Sequence, residues 1–369
     1  MRAYLLMMAI AAVVTFFATH AVRRFAAKRN LHIAIRERDA HSTPTPRLGG
    51  IAMYLGFLAT ILIAWPLGWF SSVFANPGQV IAIVVSVTLI ALVGVLDDLY
   101  DLDWTLKLAA QFVVGGLLAW QGVQIVSLPI SGLTIGSFGT SLISTVFITV
   151  LVMNAVNFID GLDGLVAGVV LIGTGVFFAY TYLLAQQTSP TDYFSLSGLL
   201  SAIIMGMCIG FLPHNWHKAK IFMGDSGAYQ LGLLMAISAL AVTGQVDAGA
   251  VTKNALLPAF IPLLLPLAIL ILPLLDFSLA VVRRMRAGLS PFAADRKHIH
   301  HRLQDFGHSH LGAVLVFYAW TTLISTSFLL LFFYPGWLVA IYFVVGLLAC
   351  MLYTAWPLIA RRRQTAKSK

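Results

Sequence analysis

The sequence predicts an all-α polytopic membrane protein, a bundle of about 11 transmembrane helices with the N-terminus outside and the C-terminus cytoplasmic. Three observations predict it. Of 369 residues, 59% are hydrophobic and only 10% are charged, against about 25% charged in a soluble domain. Apolar runs long enough to span, about 17–25 residues each, recur along the whole chain. The basic residues gather on alternate connections between those runs.

Taken in order, the runs cover 3–22, 48–66, 79–96, 105–121, 140–158, 164–185, 193–212, 228–245, 255–282, 311–333 and 337–359. None alternates apolar and polar residues as a spanning barrel strand must, so each reads as a helix. Only Arg2 precedes the first run, whereas Arg23, Arg24, Lys28 and Arg29 follow it. That order predicts a retained anchor rather than a cleaved signal peptide. Starting outside and alternating through the runs leaves 21 of the 23 basic residues cytoplasmic, with Arg2 and Lys253 outside. The reverse orientation inverts that ratio, against the positive-inside rule. A short outer hairpin is expected across 124–138. No separate soluble domain is visible. Residues 1–369 therefore read as one integral membrane domain, with cytoplasmic active-site loops at 23–47, 97–107, 157–164, 213–227 and 283–310.

Composition also excludes. Cys208 and Cys350 lie in apolar runs and make neither a disulfide framework nor a metal site. The net charge of +9 has no soluble basic domain to carry it, so it reflects topology and not nucleic-acid binding. Of 14 acidic residues, Asp192 and Asp247 fall outside, Asp276 falls within the ninth run, and the rest are cytoplasmic. Carboxylates contribute little to topology. Their crowding on one face points to a polar catalytic surface. Asp276 is a functional candidate as an intramembrane acid, or the partner of a nearby base.

Four constellations carry the chemistry. Asp97 and Asp98, with Asp101, Asp103 and Lys107, close the third run; adjacent carboxylates are tolerated where a lysine or a cation compensates. A solvated turn is the plain alternative. Asn154, Asn157, Asp160 and Asp163 recur every three residues and form one polar stripe if the helix continues. Such a stripe of oxygen ligands suits Mg²⁺, and Gly161 and Gly164 allow close approach. Third, the stretch Asn215 to Gly227 contains Lys218, Lys220 and Gly224-Asp225-Ser226-Gly227. Asp225 or Ser226 is placed to cap the following helix, whose start favours phosphate. Zinc at His214 and His217 lacks further ligands nearby in sequence. Fourth, His298, His300 and His301, flanked by Arg296, Lys297 and Arg302, form a dense donor cluster. Cationic donors of this kind stabilise charge on a diphosphate leaving group; a generic basic loop and a zinc site are the rivals. The chain has no P-loop and no dinucleotide fingerprint.

Five ordered stretches now carry a resemblance: Thr43 to Gly50, Asp97-Asp98, Asn154 to Gly164, Phe222 to Gly227, and His298 to His301. The chain resembles the polyprenyl-phosphate N-acetylhexosamine-1-phosphate transferase superfamily. His298-Ile-His300-His301-Arg302-Leu303, after Ser290-Pro-Phe292 and Asp295-Arg296, is similar to the WecA and TagO type. Phe211 to Asn215 and Gly307 to His310 look like its actinobacterial members. The MurNAc-pentapeptide translocase branch, expected to carry consecutive histidines followed by Phe-Glu, is the alternative.

The resemblance implies transfer of GlcNAc-1-phosphate from UDP-GlcNAc to a polyprenyl phosphate at a bacterial plasma membrane, as a first membrane step of cell-envelope glycan assembly. It implies Mg²⁺ as cofactor, with Mn²⁺ as alternative, and it allows a homodimer. Asp225 would be the main metal ligand, with Asn157 assisting. Asp97, Asp98, Lys107 and Asp160 would form the catalytic group, Asp97 and Asp98 handling the lipid phosphate, by position and charge or with one as base, and Lys107 neutralising phosphate charge. Asp163 and Asn215 would read the uracil edge and Phe222 would stack on its ring. His298, His300, His301 and Arg302 would hold the diphosphate and sugar. A secondary transporter is a distant alternative, because transporters place binding groups near mid-membrane.

Overall fold

The computed structural model describes residues 1–29, 45–125, 137–188, 195–243, 271–286, 288 and 299–367. The α-helices among them are α1 (Arg2–Lys28), α2 (Gly49–Ala64), α3 (Ser71–Phe74), α4 (Pro77–Tyr100) and α5 (Trp104–Trp120). There follow α6 (Phe138–Phe158), α7 (Leu165–Thr188), α8 (Leu196–Asn215) and α9 (Gly224–Thr243). The last are α10 (Ile271–Arg286), α11 (Ile299–Asp305), α12 (His310–Leu330) and α13 (Gly336–Lys367).

Eight of these, α1, α4, α6, α7, α8, α9, α12 and α13, are long and apolar enough to cross a bilayer. The second run is bent: α2 meets the segment Gly68–Phe74 at 92°, just past Pro66, which has no N–H to continue the ladder. Counting that pair as one span makes nine. The fourth run forms α5, whose 17 residues reach only about 26 Å at 1.5 Å per residue. It starts at Trp104 because Asp101 turns the chain in the left-handed region (φ 54°) and Asp103 then caps the new helix through Thr105 N–H. Of the ninth run, 255–270 lies outside the described residues. Asp276 belongs to α10, its side chain outside the description, and residues 126–136 of the expected outer hairpin are likewise outside.

Hydroxyls inside these helices bond their own backbone: Thr19 to Thr15 O, Thr60 to Gly56 O, Thr88 to Val84 O and Ser238 to Leu234 O. Such bonds satisfy a polar group where no water is available. The axis of the bundle is α9. Its spanning stretch is 89% buried, against 11% for that of α13. Helices α2, α4, α6 and α8 pack around it, so the first turn of α9 meets the ends of several neighbours. The crossing with α4 is tight at Gly94, where a Cβ would strike the Ser226 backbone.

Candidate active site

At the start of α9, the ends of three other helices converge on Asp225. Asn157, at the end of α6, donates from Nδ2 to Asp225 Oδ1 at 3.0 Å. Lys107, in the first turn of α5, lies with Nζ 3.6 Å from Asp225 Oδ2 and 3.0 Å from Asp97 Oδ2. Asp97, from the last turn of α4, also accepts from Leu102 N–H at 2.8 Å, which fixes the turn into α5. One ammonium is thus shared by two carboxylates, and each oxygen of Asp225 has its own partner.

Asp98 has a different task. It is 7% exposed and accepts from the backbone N–H of Asp225 (2.9 Å) and of Ser226 (3.2 Å). The cap of α9 therefore comes from α4, not from Asp225 or Ser226 as the sequence suggested. The same bonds occupy the two amides that a phosphate was expected to use at this helix start. Gly224 makes the approach feasible. Its φ is +70°, and a Cβ there would fall on the Asp98 carboxylate and the Arg47 carbonyl.

The expected polar stripe of 154–163 does not form, because α6 ends at Phe158 and the chain turns. Asn154 and Asn157 stay on the helix. Asp160 remains on the Asp225 side; burial, then the Asp225 carboxylate, pushes it up to about 7, against a pull from Arg47. Asp163 turns away to a second cluster. Its Oδ2 accepts from Ala219 N–H at 3.1 Å and lies 3.1 Å from His217 Nδ1 and 3.7 Å from His310 Nε2. The two imidazoles stack at 4.7 Å.

Asn215 locks this second cluster to the first. Its Oδ1 accepts from Gly164 N–H and its Nδ2 donates to Ile221 O. Phe222 is half-buried; its N–H donates to Pro46 O and its carbonyl accepts from Gly49 N–H. The segments 45–50 and 221–224 are thereby paired. Both amide ends of Asn215 are used within the protein, so it shapes the loop beside Asp163.

Arg302 is exposed on α11. His300 and His301 lie on the same helix, with side chains outside the description, and His298 lies outside the described residues. Sequence reasoning missed Arg47 beside Asp160, and it missed His217 and His310 as partners of Asp163. His217 was set aside for lack of nearby ligands, yet its neighbours come from 54 and 93 positions away in the chain.

Two donor sets are candidates for a metal. Asp97, Asp160, Asn157 and Asp225 offer hard oxygen donors, and Asp225 is more open than Asp97, its side chain 29% exposed against 7%. That chemistry fits Mg²⁺ or Mn²⁺. Asp163, His217 and His310 place three ligand atoms within 4.8 Å of one another, a mixed set of the kind borderline ions favour. Here, however, Asp163 N–H already donates to His310 Nε2 at 3.0 Å, and that bond uses the imidazole lone pair an ion would need.

The fold and site define a polytopic, all-helical membrane protein with a carboxylate–lysine centre at helix ends. Residues 80–243 match glycosyl transferase family 4. The chain is 37% identical over 357 residues to the decaprenyl-phosphate N-acetylglucosaminephosphotransferase of Mycolicibacterium smegmatis, covering 95% of this chain and 87% of that one. It is 33% identical over 317 residues to the probable undecaprenyl-phosphate N-acetylglucosaminyl 1-phosphate transferase of Bacillus subtilis, covering 85% and 80%. With the undecaprenyl-phosphate alpha-N-acetylglucosaminyl 1-phosphate transferase of Escherichia coli K12 it shares 29% over 325 residues, covering 86% and 80%. The chain belongs to glycosyl transferase family 4, and its likeness is to the WecA-like, actinobacterial members.

Proposed function

We propose that this protein transfers GlcNAc-1-phosphate from UDP-GlcNAc to a polyprenyl phosphate, giving polyprenyl-diphosphate-GlcNAc and UMP. The observation that carries the chemistry is Asp225 gripped by Lys107 and Asn157 beside Asp97 and Asp98. The names of the relatives supply the polyprenyl phosphate and the GlcNAc-1-phosphate group; the UDP donor follows from the motif resemblance. A phosphate oxygen of the lipid attacks the β-phosphorus; the new P–O bond forms as the bond to the bridging oxygen breaks, and UMP leaves with that oxygen. A phosphate monoester is largely dianionic near neutral pH, its second pKa being about 6, so no strong base is required. Asp97 and Asp98 then act by position and charge, in keeping with their bonds to Lys107, Leu102 N–H and the start of α9.

Asp225 and Asn157, with Asp160 near them, are the residues proposed to hold Mg²⁺. When bound, the ion neutralises charge that develops on the diphosphate oxygens. Lys107 adds a fixed cation to the same place. Asp163 faces the uracil, Phe222 offers a ring for stacking, and Asn215 ties their two loops together through Gly164 and Ile221. His298, His300, His301 and Arg302 are assigned to the diphosphate and sugar.

The decisive assay offers radiolabelled UDP-GlcNAc and UDP-MurNAc-pentapeptide separately to purified protein with polyprenyl phosphate and Mg²⁺. Label enters lipid from UDP-GlcNAc alone and stops on chelation with EDTA. Label from the pentapeptide nucleotide alone would move the protein to the peptidoglycan branch.

The orientation is part of the proposal: N-terminus outside, active site and C-terminus cytoplasmic, 11 spans. It predicts that Ser368→Cys, in a Cys208→Ala and Cys350→Ala background, reacts with a membrane-impermeant maleimide in inside-out vesicles. Labelling in right-side-out cells instead would overturn it.

A further inference from the structure

Gln111 is 1% exposed and sits in α5 among apolar residues, where an amide is expensive unless bonded. Its Oε1 accepts from Asn154 Nδ2 of α6 at 2.5 Å. The same Nδ2 donates to Val150 O at 2.8 Å. A carbonyl only accepts, so the Asn154 atom facing Val150 is the nitrogen, and the Gln111 atom facing that nitrogen is the oxygen. Both hydrogens of the Asn154 amide are thus used, and the pair has one orientation.

Its place in the fold gives it a purpose. Lys107 and Gln111 are four residues apart on α5, and Asn154 and Asn157 are three apart on α6, so each pair shares a helix face. Helices α5 and α6 pack directly on each other. The amide bond ties them one turn away from the level at which Lys107 and Asn157 meet the two oxygens of Asp225. Apolar side chains at 111 and 154 would hold the helices together without choosing a register. A directional bond does choose one, as a single buried polar residue does in a coiled coil.

We infer that Gln111 and Asn154 form a positioning clamp that sets the spacing of Lys107 and Asn157 about Asp225, and with it the affinity of that carboxylate for a divalent cation. The inference rests on the assignment of Asp225 as the cation ligand, but it does not depend on the identity of the donor sugar.

The test uses Gln111→Met and Asn154→Leu, which keep size and lose the bond, and their double variant. Mn²⁺ binding to purified protein is followed by electron paramagnetic resonance without substrate, alongside kcat, KM and the melting temperature in detergent. Each single variant raises the Mn²⁺ dissociation constant at least fivefold and lowers kcat tenfold or more, with the KM for UDP-GlcNAc within threefold. The double variant falls no further than the worse single one, since one bond is lost in all three. Reciprocal exchange, Gln111→Asn with Asn154→Gln, keeps both amides and recovers at least a third of wild-type kcat; it also serves if the apolar variants do not fold. Unchanged Mn²⁺ affinity in folded Gln111→Met, or losses that multiply in the double variant, would overturn the clamp. Wild-type protein that binds Mn²⁺ yet transfers nothing from UDP-GlcNAc would sink the proposed function and leave the clamp to be judged on Mn²⁺ binding alone.

Discussion

Asp225→Asn lowers kcat by at least about a thousandfold, equivalent to about 4 kcal/mol of lost transition-state stabilisation, while the melting temperature in detergent stays within about 3 °C of wild type. The separation of the two effects follows from the bonds. The cap on α9 uses the backbone N–H of Asp225, not its side chain. Lys107 retains Asp97 at 3.0 Å when the second carboxylate is neutralised. What disappears is the negative charge that Asn157 holds at one oxygen and Lys107 at the other. A neutral amide is a far poorer ligand for a hard dication. Radiolabel transfer at saturating donor, with a thermal melt of the same preparation, measures both quantities. More than a tenth of wild-type kcat in the variant would remove Asp225 from the role of principal ligand.

Much of this architecture was legible in the sequence because a bilayer imposes a harsh rule on composition. Eight of the apolar runs correspond to helices able to span, and Pro66 ends the second run at the bend. The fourth run, 105–121, matches α5 to within a residue, but at 17 residues that helix is shorter than each of the eight able to span. Clusters were legible as clusters: Asp97-Asp98, Asn157 and Asp225 were picked out from motif and charge, and they do meet. Their pairings were not legible. A period of three placed Asp160 and Asp163 on one stripe, yet the turn after Phe158 sends Asp163 to His217 and His310. Nothing local in the sequence records that α4 caps α9, since an aspartate that caps a distant helix looks the same as one that binds a cation. Gln111 was passed over for a related reason. One amide inside an apolar run has no partner visible in sequence, and Asn154 is 43 positions away.

The capping role of Asp98 favours one of two chemistries, and its substitution has the second large effect. Asp98→Ala removes the carboxylate that accepts from two backbone amides, those of Asp225 and Ser226. Loss of a helix cap costs about 1–2 kcal/mol, and an amide left buried and unbonded costs about 1–3 kcal/mol more. The first turn of α9 then frays and carries Asp225 with it, so transfer falls at least about a hundredfold and the melting temperature drops together with it. Asp98→Asn keeps one acceptor oxygen and turns an NH₂ toward the other amide. It is therefore intermediate in both measures, and activity tracks stability across the series. A covalent mechanism makes the opposite forecast. It needs a carboxylate oxygen of Asp98 to leave its amide and attack the β-phosphorus as UMP departs, so Asp98→Asn would be inactive with an unchanged melt, and Asp98 carrying GlcNAc-1-phosphate would accumulate in wild type on incubation with UDP-GlcNAc without lipid. Both oxygens are spent on α9, and α9 is the element that presents Asp225. Displacement by the lipid phosphate leaves that support in place through the whole reaction, whereas an aspartyl-phosphate would dismantle it at the first step.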